Sequence, residues 1–204
     1  MEMTPRLETL KNLMFSYFYV DLKTLREWSK TYFAEEQRPG KYLVSDAPID
    51  TEVVRLGNPH AGGIEKTIAL IFSPTAHPMH CVFVSNSQDG WYTLVNRICK
   101  DLGCKCIRVA STLDNVQYPA NSLRVYEYGR DVRYVRAMLD GDRWEFIEKG
   151  IIQQFENSAN YRKRRIRDRL NRAVIIDYLK LVDIDVCRDD FWTSESAALY
   201  IRAR

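Results

Sequence analysis

Residues 81–111, CVFVSNSQDGWYTLVNRICKDLGCKCIRVAS, predict a strand, a helix and a second strand. The two ends of the stretch are short apolar runs of the kind that form buried strands. Between them Leu94 and Ile98 share one helical face, and Gly103 is placed to end the helix. Two strands joined by a helix within about 30 residues are the signature of a right-handed parallel crossover. We therefore expect part of the central sheet to be parallel.

The chain after this unit predicts an antiparallel hairpin. Residues 132–139 and 143–148 alternate apolar and polar side chains and are joined by Asp140-Gly141-Asp142. Pairing them across that turn gathers the apolar side chains of both strands on one face, namely Val135, Ala137, Leu139, Trp144 and Phe146. With a parallel unit and an antiparallel hairpin together, the sheet is expected to be mixed.

The region before the opening stretch predicts helices and short strands. Thr4-Pro5 begins a predicted helix whose second half, MFSYFYV, is ambiguous with a strand. Asp21 is placed to cap a second helix that ends before RPG at residues 38–40. Further strands are predicted at KYLVS, EVVRL and TIALIFS, and GNPHAGG, residues 57–63, is the segment we expect to be a mobile loop.

The fold expected from these elements is an α/β (α+β) fold in a single domain, residues 1–204. A mixed central sheet contains one parallel βαβ crossover and an antiparallel hairpin, with flanking helices. Residues 1–38 form a helical segment packed on this unit, and a long helix from about Ser158 to Val182 covers the sheet. VDIDVCRDDFW and AALYIRAR, at the C-terminal end, are expected to add one or two edge strands.

The composition and the cysteines favour a cytoplasmic protein. No apolar run reaches the roughly 18 residues that a membrane-spanning helix needs, and the N-terminus lacks the order of a secretory signal. The five cysteines are odd in number and lack the spacing of a disulfide framework. We therefore expect free thiols in a reducing compartment and no contact with a membrane.

The positive charge is concentrated in NYRKRRIRDRLNR, residues 160–172. This stretch holds seven cationic side chains and one carboxylate, whereas the whole chain has a formal net charge of only +3. On a helix, Arg165, Arg169 and Arg172 would form a stripe beside a buried apolar stripe. Cations in the first turns of a helix oppose the backbone dipole at a cost of roughly 0.3 to 1 kcal/mol each. Carboxylates elsewhere in the fold or on a partner would offset that cost.

Three interpretations of this stretch stay open. The first is a solvated or internally paired helix, in which Asp168 serves Arg164 and Arg172 at a spacing of four residues. The second is a surface for an acidic protein partner. The third is a nucleic-acid surface, which is less favoured because affinity for nucleic acid usually comes from a broad basic field with exposed aromatic rings. Acidic residues surround this stretch in the sequence.

Catalytic and metal signatures are weak. HPMHC brings His77, His80 and Cys81 close together, but the sequence lacks the two clean ligand pairs of a structural zinc site, and we expect no metal. The SNSQDG loop, residues 85–90, lacks the glycine patterns of nucleotide-binding loops, so no cofactor is expected. A small enzyme built around this loop remains the third functional hypothesis, after a binding protein and a nucleic-acid binder.

The C-terminal half, with RDVRYVRAMLDGDRWEFIEKG followed by QQFENSANYRKRRIRDRLNR, resembles small bacterial immunity proteins that neutralise secreted or contact-delivered toxins. The resemblance implies a non-enzymatic cytoplasmic inhibitor that occludes a toxin domain by complementary charge. Such a role needs a rigid fold and a steep local charge. Arginine and aromatic side chains often dominate protein contacts. The expected partner-binding residues are therefore Arg165, Arg169, Arg172, Tyr161 and Trp192.

Overall fold

The computed structural model describes residues 12–36, 41–49 and 67–203, except for the side chains of residues 35 and 36. The strands of this part of the chain are β1 Asn12–Phe18, β2 Tyr42–Ala47, β3 Ile68–Phe72, β4 Cys81–Ser85, β5 Cys106–Thr112, β6 Ala120–Glu127, β7 Arg130–Asp140, β8 Arg143–Gly150 and β9 Ala198–Ala203. The α-helices are α1 Leu22–Thr31, α2 Tyr92–Leu102, α3 Ser158–Tyr161 and α4 Arg172–Lys180. A π-helical turn spans Tyr32–Glu36, and 3-10 turns span Ile166–Asp168 and Asp189–Phe191.

The strands form one sheet in the order β2-β9-β3-β4-β1-β5-β6-β7-β8. Every pairing between the described strands is antiparallel. Strands β4 and β5 are joined by α2 and run in the same direction, but β1 lies between them and pairs antiparallel with both. The predicted α/β fold with a mixed sheet and a parallel βαβ crossover is therefore wrong. The structure is an antiparallel sheet whose faces carry helices and irregular segments.

The central place of β1 follows from its side chains. Leu13, Phe15 and Tyr17 are buried on one face of the sheet, and Ser16 and Phe18 are buried in the strand on the other. A strand that is apolar on both faces is most stable inside a sheet, where both of its rows of backbone groups are also paired. Antiparallel pairs are slightly more stable per residue than parallel ones. Inserting β1 between β4 and β5 therefore replaces one parallel pairing with two antiparallel ones.

The two faces of the sheet are covered by different parts of the chain. The segment that follows β8 packs on one face, where Leu170, Ile175 and Leu179 join the strand residues Phe15 and Leu70 in one buried cluster. Helices α1 and α2 pack on the other face in a second cluster, with members Leu25, Val95, Ile98, Ile71 and Phe83. None of the described members of this second cluster comes from β7 or β8.

Several elements confirm the sequence analysis. Asp21 caps α1 by accepting a hydrogen bond from the Thr24 amide at 2.8 Å. Helix α2 ends at Gly103, whose φ of 58° is the left-handed conformation that glycine adopts readily. The predicted hairpin is present as β7 and β8, with Ala137 opposite Phe146.

Other expectations need correction or lie outside the described residues. MFSYFYV falls on β1 and the turn after it, so the described part of the predicted N-terminal helix is a strand. AALYIRAR forms β9, which lies between β2 and β3 and is not an edge strand. The helix start at Thr4-Pro5, the EVVRL strand and the GNPHAGG loop fall on residues that are not described.

Candidate functional site

The cationic stretch is not one helix. Helix α3 ends at Tyr161, a 3-10 turn spans Ile166–Asp168, and α4 begins only at Arg172. Asparagine caps start both helices: the Asn157 side chain accepts from the Ala159 amide at 3.0 Å, and the Asn171 side chain accepts from the Val174 amide at 3.0 Å. The predicted continuous helix from Ser158 to Val182 is therefore wrong.

The break follows from the spacing of the buried side chains. Tyr161 and Leu170 are buried at the two ends of the stretch, and Ile166 is half-buried between them. At 100° per residue, a continuous helix would place Tyr161 and Ile166 about 140° apart, so both could not face the same core. Interrupting the helix lets these side chains reach the sheet. It also removes most of the cations from the positive end of a helix dipole.

We call residues 162–169 the basic segment. Four consecutive cations in it, Arg162 to Arg165, are exposed, and none of them forms an ion pair within the described residues. The nearest carboxylate contact in the segment joins Arg167 Nε to Asp168 at 3.9 Å. That distance is too long for a strong ion pair, and both groups are exposed. The expected sharing of Asp168 by Arg164 and Arg172 does not occur, since there is no helix to align them.

The three arginines predicted to bind a partner have different environments. Arg165 is exposed. Arg169 lies over the Phe146 ring at 5.3 Å, and its Nε donates to the Lys163 carbonyl at 2.9 Å. Arg172 is half-buried and donates to the Ser111 carbonyl at 2.9 Å. Burial lowers the pKa of Arg172. Arg165 therefore stays in solvent without an ion pair in the described residues, whereas Arg172 ties α4 to β5.

The two predicted aromatic contact residues are buried. The Tyr161 hydroxyl donates to Glu156, and only 6% of the residue is exposed. The Trp192 indole donates to the Val186 carbonyl at 2.8 Å, and its ring packs edge-on against Phe15. Tyr161 adjoins the basic segment only because it directly precedes it in the sequence, and Trp192 lies in the core. Neither ring is available on the surface.

A buried ion pair that the sequence analysis missed fixes the start of the basic segment. Arg133 on β7 is 2% exposed, and its guanidinium donates to Glu156 at 2.9 to 3.0 Å and to Glu148 at 2.9 Å. Burial alone lowers the pKa of Arg133, but the hydrogen bonds to Glu156 and Glu148 raise it above its ordinary value. The Arg133 guanidinium also lies 5.4 Å from the Tyr161 ring. This network joins the sheet to the residue that precedes the basic segment.

A signal for Arg133 was present in the sequence. In the predicted hairpin it shares the apolar face with Val135 and Ala137. A charged side chain at an apolar position of a strand requires a buried partner of opposite charge, because an unpaired buried charge is very costly. The partner itself, Glu156, lies in a segment without strand or helix periodicity, so it could not be identified.

The histidines of HPMHC lie beside Tyr17 at one end of β1. The Tyr17 hydroxyl and His80 Nδ1 are 2.8 Å apart, and the His77 and His80 rings stack at 6.0 Å. Burial, and then the neighbouring His77, lower the pKa of His80 and so favour its uncharged ring. Burial raises the pKa of Tyr17. Cys81 packs in the cluster on the opposite face of the sheet, so it does not join the two histidines.

The SNSQDG loop uses its polar groups internally. Asp89 accepts from the Ser87 hydroxyl at 2.6 Å and from the Trp91 amide at 2.9 Å. The Ser85 hydroxyl donates to the Ile68 carbonyl at 2.9 Å, and the Asn86 side chain accepts from the Ile68 amide at 2.8 Å. The loop links β4 to α2, and the bond from Trp91 to Asp89 fixes the residue that precedes that helix. Because β4 has no parallel neighbour, the loop is not at the carboxyl edge of a parallel sheet, where ligands commonly bind.

Comparison with known proteins gives no match: neither a protein-family model, nor a curated protein, nor a solved structure resembles this chain significantly. Within the part of the chain that the structure describes, no helix has both the length and the apolar character needed to cross a membrane. No group of three or more histidine, cysteine or acidic side chains is arranged to hold a metal ion among the described residues.

Proposed function

We propose that this chain is a non-catalytic binding protein whose basic segment docks on an acidic surface of a protein partner. The observation that carries the proposal is the exposure of Arg162, Lys163, Arg164 and Arg165 without ion pairs in the described residues. Four adjacent unpaired cations repel one another, and an acidic partner would relieve that repulsion. Asp168, with its long contact to Arg167, neutralises little of this charge.

The rigidity of the site supports the same proposal. The segment is held at one end by Tyr161 and its bond to Glu156, and at the other end by the buried Leu170. Arg169 folds back on Lys163 and Phe146 and holds the middle of the segment against β8. A charged loop that is anchored at both ends loses less conformational entropy on binding than a free one. Electrostatic steering by such a cluster also accelerates association.

The resemblance of the C-terminal half to bacterial immunity proteins supports a particular class of partner. We propose a bacterial toxin domain with an acidic surface, which the protein would inhibit by direct contact. Nucleic acid is the weaker alternative for the basic segment, because Tyr161, the aromatic residue that adjoins it, is buried and cannot stack a base. Arg165 is the predicted contact residue that fits the proposal best, and the exposed Arg162, Lys163, Arg164 and Arg167 join it.

Charge reversal tests the proposal. The variant R164E/R165E/R167E removes three exposed cations that make no hydrogen bond in the described residues, so the fold should be retained. A matched control, K41E/R130E/R202E, changes the net charge by the same amount at exposed positions elsewhere. Tagged forms of the native chain and both variants are used to isolate bound proteins from the source cells. A candidate partner is then purified, and its affinity is measured by calorimetry at low and high salt.

The proposal expects an acidic protein that binds the native chain and the control but binds the reversed variant at least ten-fold more weakly. Binding should also weaken with salt, since exposed charges are screened. If that protein is a toxin, the native chain should suppress its activity and the reversed variant should not. Equal affinity of the native chain and the reversed variant for every purified partner would refute the proposal.

A further inference from the structure

The sheet face that α1 and α2 cover continues beyond them onto strands β5 to β8. The buried cluster on this face reaches Cys106 on β5 and Tyr126 on β6. Further along the strands, alternate residues of the same face are half-exposed or exposed, and no described helix packs over the outer two strands. We call this surface the arginine face; its members are Arg108, Arg124, Arg136, Lys149 and Tyr134, with Tyr92 of α2 beside them.

The strand register aligns these side chains. Arg108 lies opposite Arg124, Arg124 lies opposite Tyr134, and Tyr134 lies opposite Lys149. Because neighbouring strands are about 4.8 Å apart, this row spans roughly 14 Å across four strands. Arg136 lies in the next row, opposite Ser122 and Ile147. Like charges directly opposite each other destabilise a sheet, so the pairing of Arg108 with Arg124 is not explained by stability alone.

The fold neutralises only part of this charge. Asp131 forms an ion pair with Arg124, and Arg108 donates to the Asp89 carbonyl. The Arg136 side chain forms neither a hydrogen bond nor an ion pair with the described residues. The Nε atoms of Arg108, Arg124 and Arg136 are all buried without an acceptor in this part of the chain. Glu145 of β8, which lies opposite Met138, projects from the same face. The four named cations therefore share the face with the carboxylates of Asp131 and Glu145, and the surplus of positive charge that remains is complementary to a polyanion.

Guanidinium groups and phenol rings alternate on this face. The Arg124 guanidinium carbon lies 4.1 Å from the centre of the Tyr134 ring and 4.9 Å from that of Tyr92. The Arg108 guanidinium carbon lies 5.3 Å from the centre of the Tyr92 ring. These contacts place two guanidinium groups and two phenol rings next to one another across the sheet. Unpaired bases stack on such aromatic and guanidinium planes, while phosphates accept hydrogen bonds from arginine and lysine.

We propose that the arginine face binds single-stranded nucleic acid. A base stacks on Tyr134, and the adjoining phosphates meet Arg136 and Lys149. A sheet face of four strands has room for two or three stacked bases. A duplex does not present its base faces, and a flat sheet face does not enter its grooves. This site lies on different residues from the basic segment and does not depend on the function proposed above.

The experiment measures the anisotropy of a fluorescein-labelled 12-nucleotide RNA and of DNA of the same sequence, each single-stranded and as a duplex, at two salt concentrations. The first variant is R136Q, since the Arg136 side chain makes no hydrogen bond or ion pair with the described residues. The second is Y134L, which keeps an apolar side chain on the strand. The matched control is R202Q, which removes one exposed cation from β9, a strand outside this face. Thermal melting of each variant verifies that the fold is retained.

We expect the native chain to bind single strands more tightly than duplexes, with an affinity that falls as salt rises. Removing a stacking ring weakens binding roughly ten-fold, and R136Q should weaken it several-fold, whereas the control should stay within two-fold of the native affinity. Equal binding of single-stranded RNA and single-stranded DNA supports the site, and so does a preference for one of the two. The proposal is refuted by no binding at low salt, by duplexes bound as tightly as single strands, or by R136Q and Y134L both binding like the native chain. Competition with a polyglutamate peptide gives a further test. The proposal is also refuted if the peptide displaces the oligonucleotide from the native chain and has the same affinity for Y134L as for the native chain, since an acidic protein would then fit the face better.

Discussion

Arg133 and Glu156 form a buried ion pair that joins β7 to the segment on top of the sheet. The guanidinium Nε of Arg133 is 3.0 Å from both carboxylate oxygens of Glu156, and the two side chains are 1% and 0% exposed. The Gln153 amide also donates to Glu156, at 2.8 Å. Every oxygen of this carboxylate is therefore engaged, and loss of its charge would leave the Arg133 cation without its main partner.

The first prediction follows from this pair. E156Q should lower the free energy of unfolding by about 3 to 5 kcal/mol, because it leaves a buried guanidinium without its compensating charge. The matched control is E148Q: Glu148 also binds Arg133, but its side chain is 43% exposed, so we expect about 1 kcal/mol or less. Urea unfolding, monitored by tryptophan fluorescence, measures the free energy of unfolding of both variants. Equal losses for the two variants would contradict the central role of Glu156.

The second prediction concerns two glycines with positive φ. Gly150, with φ of 82°, ends β8, and a Cβ there would lie 2.0 Å from the Val132 carbonyl oxygen. Gly141, with φ of 58°, has nothing within 4 Å of the same position. G141A should cost about 1 to 2 kcal/mol, the cost of a left-handed alanine. G150A should cost several kcal/mol more or prevent folding, since backbone must also move. The midpoint of urea unfolding should be clearly lower for G150A than for G141A. Equal midpoints would contradict the close approach of Gly150 to the Val132 carbonyl oxygen.

The third prediction separates two arginines that the sequence treats alike. R172Q should lower the free energy of unfolding by roughly 1.5 to 3 kcal/mol, because Arg172 makes charged hydrogen bonds to Ser111 on β5. R165Q should change it by no more than about 0.5 kcal/mol, since the exposed Arg165 has no partner in the described residues. For binding to the proposed partner the order should be reversed: R165Q should lower the affinity more than R172Q does. A destabilised R165Q would show that Arg165 is not free.

The fourth prediction is a pH dependence at the start of α1. The backbone amide of Thr24 donates to Asp21 and lowers the pKa of that carboxyl. A lowered folded pKa means that the stabilisation is complete above the unfolded pKa of about 3.9 and is lost as pH falls through the folded pKa. D21A should therefore lower the free energy of unfolding by about 1 kcal/mol at pH 7.

The difference between D21A and the native chain should shrink as the pH falls below 3.9, and chemical unfolding at a series of pH values measures it. D21N serves as the control: an asparagine accepts the same hydrogen bond without titrating, so its stability at pH 7 should stay close to native. A D21A deficit that stays constant down to pH 2 would rule out the ionised cap.

Local structure was largely predictable where the pattern is local. The cap at Asp21, the end of α2 at Gly103 and the pairing of Ala137 with Phe146 depend on residues close in sequence. Each follows from one physical rule: a side-chain acceptor for free amides, a left-handed glycine, or alternation across a hairpin. These features needed no knowledge of the rest of the chain.

The candidate sites were less predictable. Tyr161 and Trp192 are residue types that often bind partners, yet their depth depends on what the strands place beneath them. The cross-strand row of Arg108, Arg124 and Tyr134 joins three strands, so its members are separated in sequence. Alternation puts each side chain on a face, but only the strand register places them side by side.

The sequence by itself determined several of the elements, among them α1, α2 and the hairpin of β7 and β8, where some of them begin and end, and where the cationic side chains are concentrated. Only the tertiary structure decided that β1 separates β4 from β5, that the cationic stretch breaks between Tyr161 and Arg172, and which arginines find partners. Periodicity, caps and turns act over a few residues, so the local sequence contains them. Strand order and burial are set by the total apolar surface and backbone pairing of the whole sheet, to which distant parts of the chain contribute together.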